Sequence, residues 1–199
     1  PLFEAPQMDA LYHVEWARAL ARGDEFQPGP FFRAPGYPWF LAAWTRIFGD
    51  DLLAPRLVQA AIGAGSCALV YALGARLFDR RTGLAAAAIS AVYAMLVYFD
   101  GELLLPVLEV PTCLAAVLLA VRYGDRPSAR SAALAGAALG IAAIVRPNVL
   151  LWGMFAAVWI VVRGGSPLAA RLRQAAVYGV ATLAPILPLT AYNAFVGRD

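Results

Sequence analysis

The chain has 199 residues, of which 61% are hydrophobic and 15% are charged, and its mean hydropathy is +0.65. This composition argues against a soluble globular fold, because apolar runs of about 15 to 24 residues suit membrane spans better than soluble core helices. The net charge of +3 comes from arginines spread over short loops, and no basic face alternates with stacking aromatics. That pattern excludes a nucleic-acid-binding protein.

Residues 1–52 differ from the rest of the chain, because their charged residues are interleaved with aromatic ones. The apolar run that follows is predicted to begin outside the membrane, so this segment must lie outside as well. We therefore expect an extracytoplasmic first loop at residues 1–52 and a transmembrane region at residues 53–199. A membrane helix is expected before Pro1, and Asp199 need not be the natural end.

The first loop begins with a predicted helix at residues 8–22, which lies on the membrane surface and ends before Gly23. Spacing of the i, i+3, i+4, i+7 type places four polar or aromatic residues on one face, namely Asp9, Tyr12, His13 and Trp16. We assign Tyr12 and His13 to substrate binding. A metal-ligand role suits His13 less well than a hydrogen bond at the interface, since a single nearby carboxylate does not complete a metal site.

A second helix is predicted from Pro38, a favourable first-turn residue, to the residue before Gly49. The ordered turn that precedes it contains Arg33 and Tyr37, which we also assign to substrate binding. An arginine beside a tight Pro-Gly turn suits contact with a phosphate, and a solvated loop arginine is the alternative.

The remaining apolar runs predict an all-α fold, a polytopic bundle of transmembrane helices. The predicted spans are residues 53–77, 83–99, 103–121, 131–145, 148–162 and 174–196. Arginines cluster in alternate connecting segments, and the positive-inside rule assigns these segments to the cytoplasm. The three clusters are Arg76, Arg80 and Arg81, then Arg122, Arg126 and Arg130, then Arg163, Arg171 and Arg173.

Two carboxylates, Asp100 and Glu102, stand between two apolar runs, directly after residue 99. In a bilayer this position is the outer mouth of a helical hairpin, where a water-facing site begins. Interfacial charges that end two spans are the alternative interpretation. Glu109 lies one to two turns inside the next span and shares a face with Glu102, so we assign it to substrate binding from a cavity. Protonation, or pairing with Arg146, is the structural alternative.

Arg146 is predicted at the tip of a second hairpin, where the sequence Arg-Pro-Asn separates two short apolar arms. Each arm of about 15 residues reaches only about 23 Å at 1.5 Å per residue, so the tip lies below the outer membrane surface. Gly136 and Gly140 in the first arm permit close helix packing. Because an uncompensated charge at this depth is costly, Arg146 is predicted to bind a phosphate.

Short motifs distributed over essentially the whole chain resemble a bacterial protein of glycosyltransferase family 39, in the GT-C superfamily. This group is similar to dolichyl-phosphate-mannose protein mannosyltransferases and to the aminoarabinose transferases of lipid A. The motifs are Asp9-x-x-Tyr-His13-x-x-Trp-Ala, Phe32-Arg-Ala-Pro-Gly-Tyr-Pro-Trp-Phe-Leu41, Phe48-Gly-x-Asp, Arg56-Leu-Val-Gln59, Phe99-Asp-Gly-Glu102 and Arg146-Pro-Asn.

The resemblance implies three catalytic residues, Asp9 in the first outer loop and Asp100 and Glu102 in the second acidic motif. Asp9 would deprotonate an acceptor hydroxyl or amine, with capping of the first helix as the alternative role. Arg146, or a divalent metal bound by Asp100 and Glu102, would stabilise the departing phosphate. No other cofactor is expected.

The predicted function is an inverting membrane glycosyltransferase that acts at the extracytoplasmic face of a bacterial inner membrane. Its expected partners are a polyprenyl-phosphate sugar donor, membrane lipids, and a lipid, glycan or protein acceptor. Two alternatives remain, a transporter or flippase of envelope precursors and a non-catalytic envelope-assembly subunit, because acidic pairs and proline-broken helices also mark transport pathways.

Overall fold

The computed structural model describes residues 6–197, and over that range all of its regular secondary structure is α-helical. The predicted all-α class is therefore confirmed. The helices are α1 Asp9–Arg22, α2 Gly36–Phe48, α3 Leu53–Leu77, α4 Arg80–Val92, α5 Ala94–Gly101, α6 Pro106–Asp125, α7 Ala129–Val145, α8 Val149–Val162, α9 Leu168–Leu183 and α10 Leu187–Val196.

The chain forms two compact units. The first comprises residues 1–28 and 35–111, and the second comprises residues 29–34 and 112–199. The predicted boundary at residue 52 follows the expected membrane surface rather than compactness, and it stays a prediction.

Helices α1 and α2 begin the first unit and end where their glycines predict. Gly23 follows α1 in the left-handed conformation, at φ 84°, and donates its N–H to carbonyls of the last turn. Gly49 follows α2 with φ 68°. Both conformations disfavour a residue with a Cβ, which is why a glycine ends each helix. At its other end α2 begins at Gly36, two residues before the predicted start at Pro38.

One apolar core joins these two helices to the start of α6. Its buried residues are Ala10, Val14 and Ala17 of α1, Tyr37, Leu41 and Ala42 of α2, Leu103, and Val107 of α6. Residues of α1 thus share a core with Leu103, which directly follows the acidic pair in the sequence. This arrangement fixes the first loop to the 100–102 segment.

Helices α3 and α6 are the two individual helices, within residues 6–197, that are long and apolar enough to cross a membrane. The helix predicted at residues 53–77 is confirmed with identical bounds, and its length and apolar composition make it a candidate span. Helices α7 and α8 are apolar but shorter, in agreement with the short arms predicted around Arg146.

The other two predicted spans contain breaks that the sequence analysis did not anticipate. Helices α4 and α5 are bent by 54° at Tyr93, and α9 and α10 by 52° at residues 184–186. The second break has a local cause, because Pro185 lacks the backbone N–H that would continue the hydrogen bonds of the helix. No proline or glycine lies near Tyr93, so that break has no local signal.

The second unit is packed through small residues, as predicted. A Cβ added to Gly136 would collide with the carbonyl of Tyr178, and one added to Gly140 would collide with the carbonyl of Thr182. Helices α7 and α9 therefore approach to backbone contact, which is the geometry that small residues permit in membranes.

Two arginines of the predicted cytoplasmic clusters also complete helix ends in this unit. Arg163 donates to the carbonyl of Gly124 at 2.7 Å, near the end of α6, and Arg171 donates to the carbonyl of Arg163 at 2.8 Å, just after α8. Carbonyls at helix C-termini lack partners within the helix and favour positive charge. These side chains therefore serve the fold as well as the predicted topology.

Candidate active site

The acidic pair lies at the end of α5, where Asp100 and Gly101 are the last two helical residues and Glu102 follows the helix. We call residues 100–102 the 100–102 turn. Side chains of α3 hold this turn by its backbone. The Gln59 amide nitrogen Nε2 donates to the carbonyl of Asp100 at 3.1 Å and to that of Glu102 at 2.7 Å. Arg56 Nε donates to the carbonyl of Gly101 at 3.2 Å. All three consecutive carbonyls of the turn therefore accept a hydrogen bond from α3.

Gln59 is itself held by Tyr37. Its side chain is 0% exposed, and its Oε1 accepts a hydrogen bond from the Tyr37 hydroxyl at 2.7 Å. Burial raises the pKa of the Tyr37 phenol above its ordinary value. The phenol therefore keeps its proton and acts as the donor to Gln59.

The Asp100 carboxylate lies against the backbone of α3 at Gly63. A Cβ at that position would collide with the carboxylate, so the close approach requires glycine. Asp100 also lines a cavity of about 250 Å³ within the first unit, together with Gly63, Ser66, Cys67, Ser90 and Phe99. The carboxylate is half-buried, with one side on the helix backbone and the other on this cavity.

Glu102 and Asp9 adjoin the same apolar core. Glu102 is half-buried and precedes Leu103, which is fully buried, while Asp9 is exposed and precedes Ala10. Both Leu103 and Ala10 belong to the core cluster of the first unit. The fold thus brings two acidic motifs that are separated by about ninety residues to one core.

Asp9 is the first residue of α1, and Met8 occupies the N-cap position with a positive φ of 51°. The alternative of Asp9 as the N-cap residue is therefore wrong. In the first turn a carboxylate still interacts favourably with the helix dipole.

The four residues predicted to share one face of α1 differ in burial in the structure. His13 and Trp16 are buried, and the His13 ring packs edge-on against the Tyr37 ring with 5.1 Å between centroids. Tyr12 is half-buried and packs edge-on against Phe26 at 5.1 Å. Substrate contact by Tyr12, His13 and Tyr37 stays a prediction.

Arg33 and Arg146 belong to the second unit, and both are exposed. Arg33 lies on the segment of residues 29–34, which is attached to α10. In this attachment the Phe31 N–H donates to Asn193 Oδ1 at 2.9 Å, and the Phe31 ring stacks on Tyr192 at 4.8 Å. Arg146 follows α7 at the predicted hairpin tip.

Glu109 is half-buried in the first turn of α6. Among residues 6–197 no group of three or more His, Cys, Asp or Glu side chains is arranged to hold a metal. Asp100 and Glu102 alone therefore do not fit a site in which the protein supplies most of the ligands.

Arg56 and Gln59 had no predicted role, although both belong to the motifs that carry the family resemblance. Their signal is a charged and an amide side chain on one face of an otherwise apolar helix, three residues apart. In a membrane protein such side chains require internal partners. The pattern predicts that partners exist, but it does not identify them.

Comparison with known proteins gives one family match. The family model described as dolichyl-phosphate-mannose-protein mannosyltransferase matches residues 32–192. No curated protein and no solved structure matches the chain significantly. The matched range includes α2 to α9, the 100–102 turn and Arg146, and it begins after Asp9.

Proposed function

Because the chain belongs to the dolichyl-phosphate-mannose-protein mannosyltransferase family, we propose that it transfers a sugar from a polyprenyl phosphate to an acceptor at the extracytoplasmic face. The acceptor is a lipid, glycan or protein, and the anomeric carbon is inverted. Family membership together with the long apolar helices makes the chain an integral membrane glycosyltransferase-like protein. The donor, the bacterial inner membrane and the side of the reaction are part of the proposal.

The donor chemistry requires one base and no general acid. The leaving group is a lipid phosphate, whose second pKa is about 6, so it departs from the anomeric carbon without being protonated. A base takes the proton of the acceptor hydroxyl or amine as the acceptor attacks the opposite face of the sugar. A single displacement of this kind inverts the anomeric configuration.

Asp9 is the proposed base. It is exposed at the start of α1, so an acceptor can reach it from outside the protein. The observation that carries this assignment is the shared core, since Asp9 adjoins Ala10 and the 100–102 turn adjoins Leu103 in one apolar cluster. Two acidic motifs that adjoin the same core can act on one bound donor.

Asp100 and Glu102 are the proposed donor-orienting carboxylates, and Arg146 is the proposed cation for the phosphate. A guanidinium binds a phosphate through two parallel hydrogen bonds and keeps its charge at any physiological pH. Carboxylates accept hydrogen bonds from sugar hydroxyls. No step of this mechanism depends on a metal.

The test uses purified full-length protein in lipid nanodiscs with a polyprenyl-phosphate hexose as donor. We expect release of lipid phosphate that requires an acceptor, and transfer of the labelled sugar to that acceptor with inverted anomeric configuration. Absence of release across several hexose and pentose donors would overturn the proposal.

One structural observation favours a transporter as the second candidate. The bends of 54° and 52° in α4–α5 and α9–α10 resemble the discontinuous helices that line transport pathways. Flux of an intact lipid-linked sugar across liposomes, without release of lipid phosphate, would support that alternative.

A further inference from the structure

We propose that Gln59 is a positioning residue, whose buried amide fixes the 100–102 turn and thereby determines where the Asp100 and Glu102 carboxylates stand during sugar transfer. The inference rests on the proposed function, because it deepens the role of the second acidic motif. Gln59 is fully buried in α3, so it would act through the turn and not on the substrate itself.

Every hydrogen-bonding group of the Gln59 side chain has a partner. A carboxamide has two N–H donors and one carbonyl acceptor. Both donors are directed at backbone carbonyls, those of Asp100 and Glu102, which can only accept. Rotating the amide by 180° would place an oxygen against these carbonyls. The orientation of Gln59 is therefore unique, and the Tyr37 hydroxyl must donate to its Oε1.

The carbonyls of the turn need partners because they belong to the last residues of α5 and to the residue that follows it. Helix α5 ends at Gly101 and α6 begins at Pro106, so the carbonyls at the end of α5 have no partner within the helix. Gln59 bridges the first and third carbonyls of the turn, and Arg56 takes the second. Gln59 is fully buried, so its amide N–H groups must find partners within the protein.

Binding the carbonyls to α3 also determines where the carboxylates can go. Arg56, Gln59 and Gly63 lie at i, i+3 and i+7 and share one face of α3. The first two hold the backbone of the turn, and Gly63 leaves space for the Asp100 carboxylate. A shift of about 1 Å in a reacting geometry reduces rates by about 10²-fold, so a loosened turn should reduce turnover.

An amide suits this position better than a carboxylate of the same shape. Gln59→Glu keeps an acceptor for the Tyr37 hydroxyl but replaces both N–H donors by an oxygen that faces two carbonyls. Gln59→Leu removes both functions at nearly constant volume. Tyr37→Phe removes only the hydroxyl and leaves both donors of Gln59 in place.

The second unit contains a matched control. Gln174 is also buried and accepts a hydrogen bond from a tyrosine hydroxyl, that of Tyr123, at 2.6 Å. Gln174→Leu therefore removes a Tyr–Gln hydrogen bond of the same kind in the unit that contains none of Asp9, Asp100 and Glu102.

The first measurement is steady-state release of lipid phosphate by full-length protein in nanodiscs, with the polyprenyl-phosphate hexose that the wild type uses. We expect Gln59→Glu and Gln59→Leu to lower kcat by about 10²-fold and Tyr37→Phe by about 3- to 10-fold, with the donor KM changed by less than about 3-fold. Gln174→Leu should keep kcat within about 2-fold.

The second measurement does not depend on activity. The Glu102 N–H donates to the Tyr98 carbonyl at 3.0 Å, so hydrogen exchange at residues 101–105 reports opening of the turn. We expect faster exchange there in both Gln59 variants and in Tyr37→Phe, and wild-type exchange in Gln174→Leu. If a Gln59 variant does not insert into the membrane, kcat and hydrogen exchange of Tyr37→Phe test the positioning role of Gln59 instead.

The outcomes separate the two proposals. Unchanged exchange at residues 101–105 in every inserted variant would overturn the claim that the hydrogen bonds of Gln59 stabilise the turn. Faster exchange with unchanged kcat would overturn the positioning role. A wild-type protein that releases no lipid phosphate would overturn the proposed function. The exchange measurement would still test whether the hydrogen bonds of Gln59 stabilise the turn.

Discussion

Both units of the chain contain a buried tyrosine–glutamine hydrogen bond, but the two bonds are used differently. In the first unit, Tyr37 donates to Gln59 at 2.7 Å, and Gln59 donates two hydrogen bonds to backbone carbonyls of the 100–102 turn. In the second, Tyr123 of α6 donates to Gln174 of α9 at 2.6 Å and so joins two helices. One bond stabilises a turn that carries carboxylates, and the other stabilises helix packing.

The surroundings of the two bonds differ in the same way. Next to Gln59 lies a cavity of about 250 Å³, with the Asp100 carboxylate on its wall. Around Gln174 the helices are in backbone contact through Gly136 and Gly140. Packing alone explains the polar pair between two regular helices, whereas Gln59 also binds the carbonyls at the end of α5.

The largest effect is expected from the base in the first unit. Asp9→Asn keeps the size of the side chain but removes its basicity, so turnover should fall by about 10² to 10⁴ while donor binding stays nearly intact. The measurement is kcat for lipid phosphate release beside donor affinity by isothermal titration. Full activity in Asp9→Asn would defeat the mechanism even though the family assignment stands.

Two glycine substitutions sharpen the contrast between the units. At Gly140 the obstacle to a Cβ is a backbone carbonyl and a proline ring, which cannot move easily, so Gly140→Ala should destabilise the protein by about 1 to 3 kcal/mol. At Gly63 the obstacle is the Asp100 side chain, which can rotate away. Gly63→Ala should therefore change stability little but lower kcat about tenfold or more.

Thermal unfolding in detergent and kcat, measured on both variants, test this contrast. Loss of activity without loss of stability in Gly140→Ala, or the reverse in Gly63→Ala, would contradict the division of roles between the two units.

A smaller effect is expected from the arginine at the predicted hairpin tip of the second unit. Arg146→Lys keeps the charge but loses the bidentate fork, so donor affinity should fall about tenfold while the protein remains inserted. Donor binding by titration in nanodiscs measures the change. Unchanged affinity would remove Arg146 from the donor site.

The smallest effect on activity is expected from introduced cysteines, which report only on which side of the membrane a residue lies. Cysteines placed at Asp24 and at Pro127 should leave activity unchanged, and only the cysteine at position 24 should react with a membrane-impermeant thiol reagent added from outside. This outcome follows from the cytoplasmic assignment of the arginine clusters. Equal labelling at the two positions would refute the topology, whichever unit carries the chemistry.

Much of the fold was predictable from local patterns. The glycines at 23 and 49 predicted the ends of α1 and α2, and the apolar run at residues 53–77 predicted α3 to the residue. The candidate site was predictable in part, since Asp100 and Glu102 stand out between two apolar runs. The extended conformation of Tyr93 was not predictable, because no proline or glycine there disfavours a continuous helix.

The sequence alone determined the membrane class, the family resemblance and several helix ends, because each of these depends on composition or on the backbone preference of a residue and its neighbours. Tertiary structure alone decided that Gln59 holds the carbonyls of Asp100 and Glu102, which lie 41 and 43 residues further along the chain. A buried amide requires partners, and helix packing selects which distant carbonyls meet it.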